Sequence, residues 1–131
     1  AGTSSGNPIA MAAGFATLSE LNNNGAIYTE LEAKGKRLKN EIHAAFEANK
    51  ISHTINQIGS MISVHFCENE IVDFETASKG NNETFKKFFH HMLNSGIYLP
   101  PSAFETWFIC AALNENDLQA TITACKSFNQ F

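Results

Sequence analysis

The chain has 131 residues, of which 44% are hydrophobic and 17% are charged, and its formal net charge is −4 at pH 7. This acidic balance and the scattered lysines and arginines argue against a nucleic-acid-binding surface. No stretch of the sequence reaches the apolar length of a membrane span. The three cysteines lack a C-x-x-C spacing, so they predict neither a disulfide framework nor a zinc knuckle. Reduced thiols are typical of a cytoplasmic protein, and we expect no nucleic-acid or membrane partner.

Two consecutive helices are predicted at the start of the chain. Asn7 and Pro8 mark the beginning of the first, because Asn is a favoured N-cap and Pro is favoured at the first helical position. The Asn-rich segment 22–25 ends it. The second helix is expected over 26–49, with an apolar stripe of Ile27, Leu31, Leu38, Ile42 and Phe46. Together they predict a helical hairpin, and the first helix, which is apolar on more than one side, can also reach away toward a partner.

The remaining elements alternate between strands and helices. In chain order we expect strands over 52–58 and 61–66, an irregular polar segment over 68–82, a helix beginning at Asn82, strands over 97–99 and 106–110, and a last helix capped by Asn114. The last helix has an apolar side formed by Leu118, Ile122 and Cys125. This order predicts an α+β fold, with a small, mainly antiparallel sheet that has helices on one face and is preceded by the helical hairpin.

The loop that opens the chain is rich in glycine and hydroxyl groups. Gly2, Thr3, Ser4, Ser5 and Gly6 come directly before the first helix. Backbone N–H groups at a helix N-terminus and nearby hydroxyl donors suit a phosphate group. The loop lacks the lysine of a P-loop and the spacing of a dinucleotide-binding motif, so a well-capped helix entry with incidental serines remains the alternative.

A second notable segment runs from Tyr98 to Glu105. Pro100 and Pro101 fix an extended backbone, and Glu105 then stands between Phe104 and Trp107. A carboxylate beside apolar neighbours is suited to holding an amine. The alternative is a solvent-facing glutamate at the start of a strand.

The histidines do not predict a metal site. His53 and His65 fall on adjacent predicted strands, but no third ligand is in sight. His90 and His91 are neighbours on a predicted helix, so their side chains point in different directions. No Ser–His–Asp pattern is present either.

Two segments together resemble one known family. Residues 2–14, GTSSGNPIAMAAG, are similar to the GTLSGNPxAMAAG segment of the glutamate-1-semialdehyde 2,1-aminomutases. Residues 96–105, GIYLPPSAFE, are similar to their G-[IV]-Y-L-[AP]-P-S-Q-F-E segment. Further matches, at residues 59–61, at 72–74 with Ala77, and at 114–118, extend the resemblance over essentially the whole chain. The first segment is shared in looser form with other class-III aminotransferases, and the second is much more specific.

The resemblance implies the C-terminal portion of a fold-type-I enzyme that is a homodimer and uses pyridoxal 5'-phosphate and pyridoxamine 5'-phosphate. The family converts glutamate 1-semialdehyde, a small molecule, to 5-aminolevulinate in tetrapyrrole synthesis. The resemblance implies that Thr3, with Gly2 beside it, binds the cofactor phosphate of the neighbouring subunit. It also implies that Glu105 is a catalytic carboxylate of the small domain, facing the cofactor and substrate. The dimer contact would use the N-terminal loop and the first helix.

In the family, the lysine that binds the cofactor covalently lies upstream of the first segment. We therefore expect this chain to be inactive alone and to come from a longer protein. The expected division is a phosphate loop and connecting helix from the large-domain side over 1–25, and a small α+β domain over 26–131.

The sequence departs from the family pattern at two places. Ser4 replaces the usual Leu, and Leu113-Asn114 replaces a usual His-Thr. Asn can still cap a helix as Thr would, whereas Leu113 cannot make the polar contacts of a His side chain. Two alternatives stay open: the C-terminal domain of another class-III ω-aminotransferase, and a free-standing α+β binding module.

Overall fold

A computed structural model describes residues 2–129. The elements are α1 (Pro8–Asn23), α2 (Ala26–Ala48), β1 (Thr54–Ile58), β2 (Met61–His65), α3 (Phe74–Ala77), α4 (Asn82–Asn94), β3 (Trp107–Phe108) and α5 (Glu115–Ser127). The three strands form one antiparallel sheet in the order β1-β2-β3. The predicted α+β fold with a small antiparallel sheet is therefore confirmed.

The core lies between one face of the sheet and helices α2, α4 and α5. Ile55 pairs with Val64, and Ile62 pairs with Trp107, so these four buried side chains share one face of the sheet. Against them packs a cluster of aromatic rings with neighbouring centroids between 5.1 and 6.3 Å apart, formed by Phe46, Phe66, Phe88 and Phe128. Much of the phenylalanine content of the chain thus goes into one cluster.

Helices α2 and α5 are also held together at their surface by polar contacts. Arg37 binds Glu115 at 2.6 Å, and Lys126 binds Glu41 at 2.8 Å. These hydrogen bonds and charges lower the pKa of both carboxyl groups. The Lys34 ammonium donates to the carbonyl oxygens of residues 111 and 113. The ion pairs are exposed, so each adds little stability, but together with Lys34 they fix how α5 lies along α2.

The predicted helix caps are confirmed at both ends of the chain. The Asn7 side chain accepts hydrogen bonds from the backbone N–H groups of residues 9 and 10, and Pro8 is the first helical residue. Asn114 caps α5 in a reciprocal arrangement with Asp117. In α4 the cap is Asn81, one residue before the expected start.

Three sequence expectations about secondary structure were wrong. Residues 97–99 are not a strand: the N–H of Ile97 donates to the carbonyl of Met92 at 2.9 Å to close α4, and the prolines that follow have no N–H to donate. The strand expected over 106–110 is only Trp107–Phe108. The segment expected to be irregular contains α3, which follows its N-cap Asp73, whose carboxylate accepts a hydrogen bond from the N–H of residue 76.

Helix α1 stands apart from the core. None of its residues is buried, and Ile9, Phe15 and Leu18 are 81%, 76% and 69% exposed. The predicted pair of consecutive helices with a short Asn-rich connection is present, but α1 contributes no buried residue to it. Across the described residues, no helix combines the length and the apolar character needed to cross a membrane.

Candidate functional site

The first half of the candidate site is the loop before α1. The N–H of Ser5 donates to the carbonyl of Gly2 at 3.1 Å, and the N–H of Asn7 donates to the carbonyl of Ser4 at 3.2 Å. Gly6, at φ +77°, occupies the left-handed region that glycine tolerates best. Two tight turns therefore lead the chain into the N-terminus of α1, where partial positive charge accumulates.

The loop has features that fit a phosphate group. The Thr3 hydroxyl is exposed and bonds to no other group among residues 2–129. A Cβ added to Gly2 would lie 2.9 Å from Ser5 Oγ, so a side chain at this position would crowd the turn. A free hydroxyl donor, a turn with no side chain at Gly2 and a helix N-terminus in one place form a site that an anion can approach.

The second half of the candidate site is the turn that carries Glu105. The N–H of Glu105 donates to the carbonyl of Ser102 at 3.1 Å, and the N–H of Phe104 donates to the Ser102 hydroxyl. The Phe104 ring lies 5.4 Å from the ring of Phe74 on α3. The Glu105 side chain is exposed and, in the described part of the chain, has no ion-pair partner. The turn thus holds a free carboxylate on an ordered support.

The outer face of the sheet lies beside Glu105 in the sequence and is partly uncovered. Met61 pairs with Ile58 on one side and with Phe108 on the other, so these three side chains share the face opposite the core. Ile58 and Phe108 are each 70% exposed. On the same face Ser63 Oγ lies 3.1 Å from Thr106 Oγ1. We call Ile58, Met61 and Phe108 the outer-face patch.

The structure does not join the two halves of the candidate site within one chain. No hydrogen bond, ion pair or ring contact between residues 2–7 and residues 98–106 occurs in the part of the chain that the structure describes. Thr3 and Gly2 lie before α1, which is separate from the core, whereas Glu105 lies at the edge of the sheet. The outer-face patch was not predicted from the sequence. A signal was present, because Ile62 and Val64 face the core and Met61, one residue before Ile62, must then face the other side of the sheet.

The expectation that His53 and His65 lie on adjacent strands holds for His65 and is wrong for His53. His53 lies one residue before β1, and it is Thr54 that pairs with His65. The ring of His53 instead contacts His43 on α2, with His43 Nδ1 2.8 Å from His53 Nε2. His65 is 9% exposed, and burial lowers its pKa.

Comparison with known proteins gives consistent similarities. The class-III aminotransferase family model matches residues 1–124. A glutamate-1-semialdehyde 2,1-aminomutase of Flavobacterium johnsoniae is 56% identical over 124 residues, which are 95% of this chain and 29% of that protein. The chain thus spans less than a third of the length of this relative.

Two solved structures share the fold at low identity. An ω-transaminase from Sphaerobacter thermophilus matches with a TM-score of 0.81 and 16% identity, over 92% of this chain and 27% of that one. A variant glutamate-1-semialdehyde aminomutase from Pseudomonas aeruginosa, in complex with PMP, matches with a TM-score of 0.67 and 16% identity, over 77% and 22% of the two chains. With a family model that covers nearly all of its residues, the chain belongs to the class-III aminotransferase family.

Proposed function

We propose that the chain is the C-terminal portion of a pyridoxal-phosphate-dependent aminomutase that converts glutamate 1-semialdehyde to 5-aminolevulinate, a step of tetrapyrrole synthesis. The observation that carries this proposal is the 56% identity to an aminomutase across 95% of the chain. The matched residues include most of the fold. The identity to the aminomutase is far above the 16% identity to the ω-transaminase, whose similarity concerns the fold alone. A cytoplasmic location is part of the proposal.

The opening loop would hold the cofactor phosphate. The free Thr3 hydroxyl would donate to a phosphate oxygen, and the absence of a side chain at Gly2 would let its backbone approach the same group. The partial positive charge at the start of α1 favours the phosphate charge. When bound, the cofactor supplies an electron-withdrawing ring and an exchangeable amino group.

Glu105 would act on the substrate side of the site. Its carboxylate is free in the described chain and carries a negative charge that attracts an ammonium group of the substrate. The two prolines and the hydrogen bonds to Ser102 limit the positions that the turn can take. Glu105 would therefore orient an amino group against the cofactor and exchange protons with it.

The exposed apolar surfaces support a larger assembly. Large apolar side chains of α1 and of the outer-face patch are exposed to solvent, and groups of exposed apolar side chains mark interaction sites. We propose that residues 1–25 belong with the upstream large domain and that residues 26–131 form the small domain. The N-terminal loop and α1 would form the homodimer contact, which brings Thr3 to the site of the neighbouring subunit.

The function is tested with the full-length protein and glutamate 1-semialdehyde. An aminomutase moves an amino group within one molecule, so 5-aminolevulinate forms without any added amino acceptor. An ω-aminotransferase requires an external 2-oxo acid. A strict requirement for a 2-oxo acid would assign the chain to the aminotransferases and contradict the proposal.

A further inference from the structure

Three potential metal ligands meet where α2 ends and β1 begins. One ligand atom each from His43, Glu47 and His53 lies within 4.8 Å of the other two. The closest pair is His43 Nδ1 and His53 Nε2, at 2.8 Å. The three side chains are exposed or half-buried, so an ion can reach them from solvent.

The fold brings these residues together through the way α2 ends. His43 and Glu47 are four residues apart on α2 and therefore lie on the same face of the helix. Lys50 adopts a left-handed conformation at φ +54°, and the N–H of Ile51 donates to the carbonyl of Phe46 at 2.8 Å. This is the hydrogen-bond pattern of a Schellman motif. It turns the chain back, so that His53 lies over the last turns of α2.

The orientation of His53 is fixed by its surroundings. Its Nδ1 lies 2.7 Å from the carbonyl oxygen of Ile51, which can only accept, so Nδ1 carries the proton. In a neutral imidazole the lone pair is then on Nε2, which faces His43. The His53 ring also makes an edge contact with the ring of buried Phe46, at 5.2 Å between centroids. A backbone carbonyl bound to the far nitrogen is the usual support of a metal-binding histidine.

Without a metal, one proton lies between His43 Nδ1 and His53 Nε2 and forms a hydrogen bond. In the tautomer of His53 that has its proton on Nδ1, His43 Nδ1–H donates to His53 Nε2 at 2.8 Å. At Zn–N distances of about 2.0–2.1 Å, two tetrahedral ligands lie about 3.4 Å apart. Replacing the shared proton with an ion thus moves the two nitrogens about half an ångström apart. The exposed side chains of His43 and Glu47 can make this adjustment on α2.

We propose that His43, Glu47 and His53 bind a divalent transition-metal ion, with zinc as the ion best suited to the site. Two imidazoles and one carboxylate are ligands that zinc accepts, whereas calcium and magnesium prefer oxygen ligands alone. The three protein ligands leave a fourth position for water. The ion would connect the end of α2 to the start of β1 and would bind only the folded chain, so it would stabilise the fold. This site is independent of the aminomutase activity proposed above.

The test uses metal-free full-length protein and zinc chloride, with binding measured by calorimetry. We compare the wild type with His53→Ala and with a control, His90→Ala, whose histidine is exposed on α4 outside the cluster. We expect one zinc equivalent to be lost or weakened at least tenfold in His53→Ala and to be kept in His90→Ala. Equal zinc binding by the wild type and both variants would overturn the proposal.

A second variant covers the case in which His53→Ala fails to fold. Glu47→Gln keeps the size of an exposed side chain and removes its negative charge, so the fold should persist. It should weaken zinc binding at least tenfold, and the rise in melting temperature with zinc seen in the wild type should shrink. Unchanged zinc affinity in Glu47→Gln would rule out the three-ligand site.

Discussion

The close approach of α2 to the β1–β2 turn at Gly35 gives a direct test of the packing. A Cβ on Gly35 would lie 2.7 Å from the carbonyl oxygen of Gly59 and 3.0 Å from Gln57 Nε2. The same carbonyl accepts a hydrogen bond from Gln57 Nε2 at 2.9 Å. Gly59 itself holds the turn at φ +53°. The obstruction is therefore backbone in an ordered turn.

Two opposing effects set the magnitude for Gly35→Ala. Alanine is favoured over glycine in a helix interior by about 1 kcal/mol. Overpacking of a tight contact costs about 1–3 kcal/mol. The upper part of this range applies to Gly35→Ala, because the 2.7 Å distance to the Gly59 oxygen is about 0.6 Å shorter than an ordinary carbon–oxygen contact of about 3.3 Å. We expect the free energy of unfolding to fall by about 1–2 kcal/mol.

The measurement is urea denaturation, monitored by circular dichroism, of the chain with Gly35→Ala. The matched control is Lys36→Ala, one residue along the same helix at an exposed position, for which a change within about 0.5 kcal/mol is expected. An increase in stability of Gly35→Ala would mean that helix propensity alone governs this position. The close packing of α2 on the turn would then be refuted.

Three further predictions concern the candidate site, pH and thiols. In the full-length protein, Thr3→Ala should weaken pyridoxal-phosphate binding roughly ten- to hundredfold, because a hydrogen bond to a charged group is lost. The control is Ser4→Ala, at a position where the aminomutase pattern has Leu, and it should leave the affinity unchanged. Equal effects of the two substitutions would show that Thr3 does not bind the phosphate. Burial lowers the pKa of His65, so the unfolded chain binds a proton that the folded chain does not. Stability should thus fall as the pH drops below about 6.5, and His65→Gln should reduce this fall in urea titrations at several pH values; an unchanged pH profile would contradict it. Burial also raises the pKa of Cys125 to about 12, whereas Cys110 is exposed. A disulfide reagent should therefore label Cys110 in the folded protein and Cys125 only after unfolding, and early labelling of Cys125 would show that its surroundings are open.

The helices were predictable because their ends carry chemical markers. Asn7 and Asn114 mark the starts of helices because the side-chain oxygen of an Asn accepts hydrogen bonds from the free N–H groups there. Pro8 is favoured at the first helical position. The apolar stripe of α2 and the apolar side of α5 likewise follow from helical periodicity. The structure confirms these residues in their expected places.

The short elements were harder to predict because tertiary contacts decide them. Residues 97–99 have the composition of a strand, but the N–H of Ile97 is already used to close α4. Helix α3 is a single turn that depends on the hydrogen bonds between Asp73 and Thr76 and has too few residues to show a period. Local composition cannot reveal either outcome.

The cluster of His43, Glu47 and His53 could likewise be predicted only in part from the sequence. The four-residue spacing of His43 and Glu47 was visible in the sequence of α2. The position of His53 depends on the left-handed turn at Lys50, a residue type that does not mark such a turn. The pair His43 and Glu47 could therefore be predicted from the sequence, whereas the position of His53 beside them could be seen only in the structure.

We propose that the opening loop completes the cofactor site of the neighbouring subunit. This role can be measured directly in full-length heterodimers that pair a Thr3→Ala subunit with a subunit lacking the upstream lysine that the proposed function requires. If Thr3 serves the neighbouring subunit, one site of each heterodimer keeps both the lysine and the threonine. We then predict about half of the wild-type conversion of glutamate 1-semialdehyde per dimer, measured without an amino acceptor at limiting cofactor. Activity no higher than that of the Thr3→Ala homodimer would contradict the role of Thr3 in the neighbouring subunit.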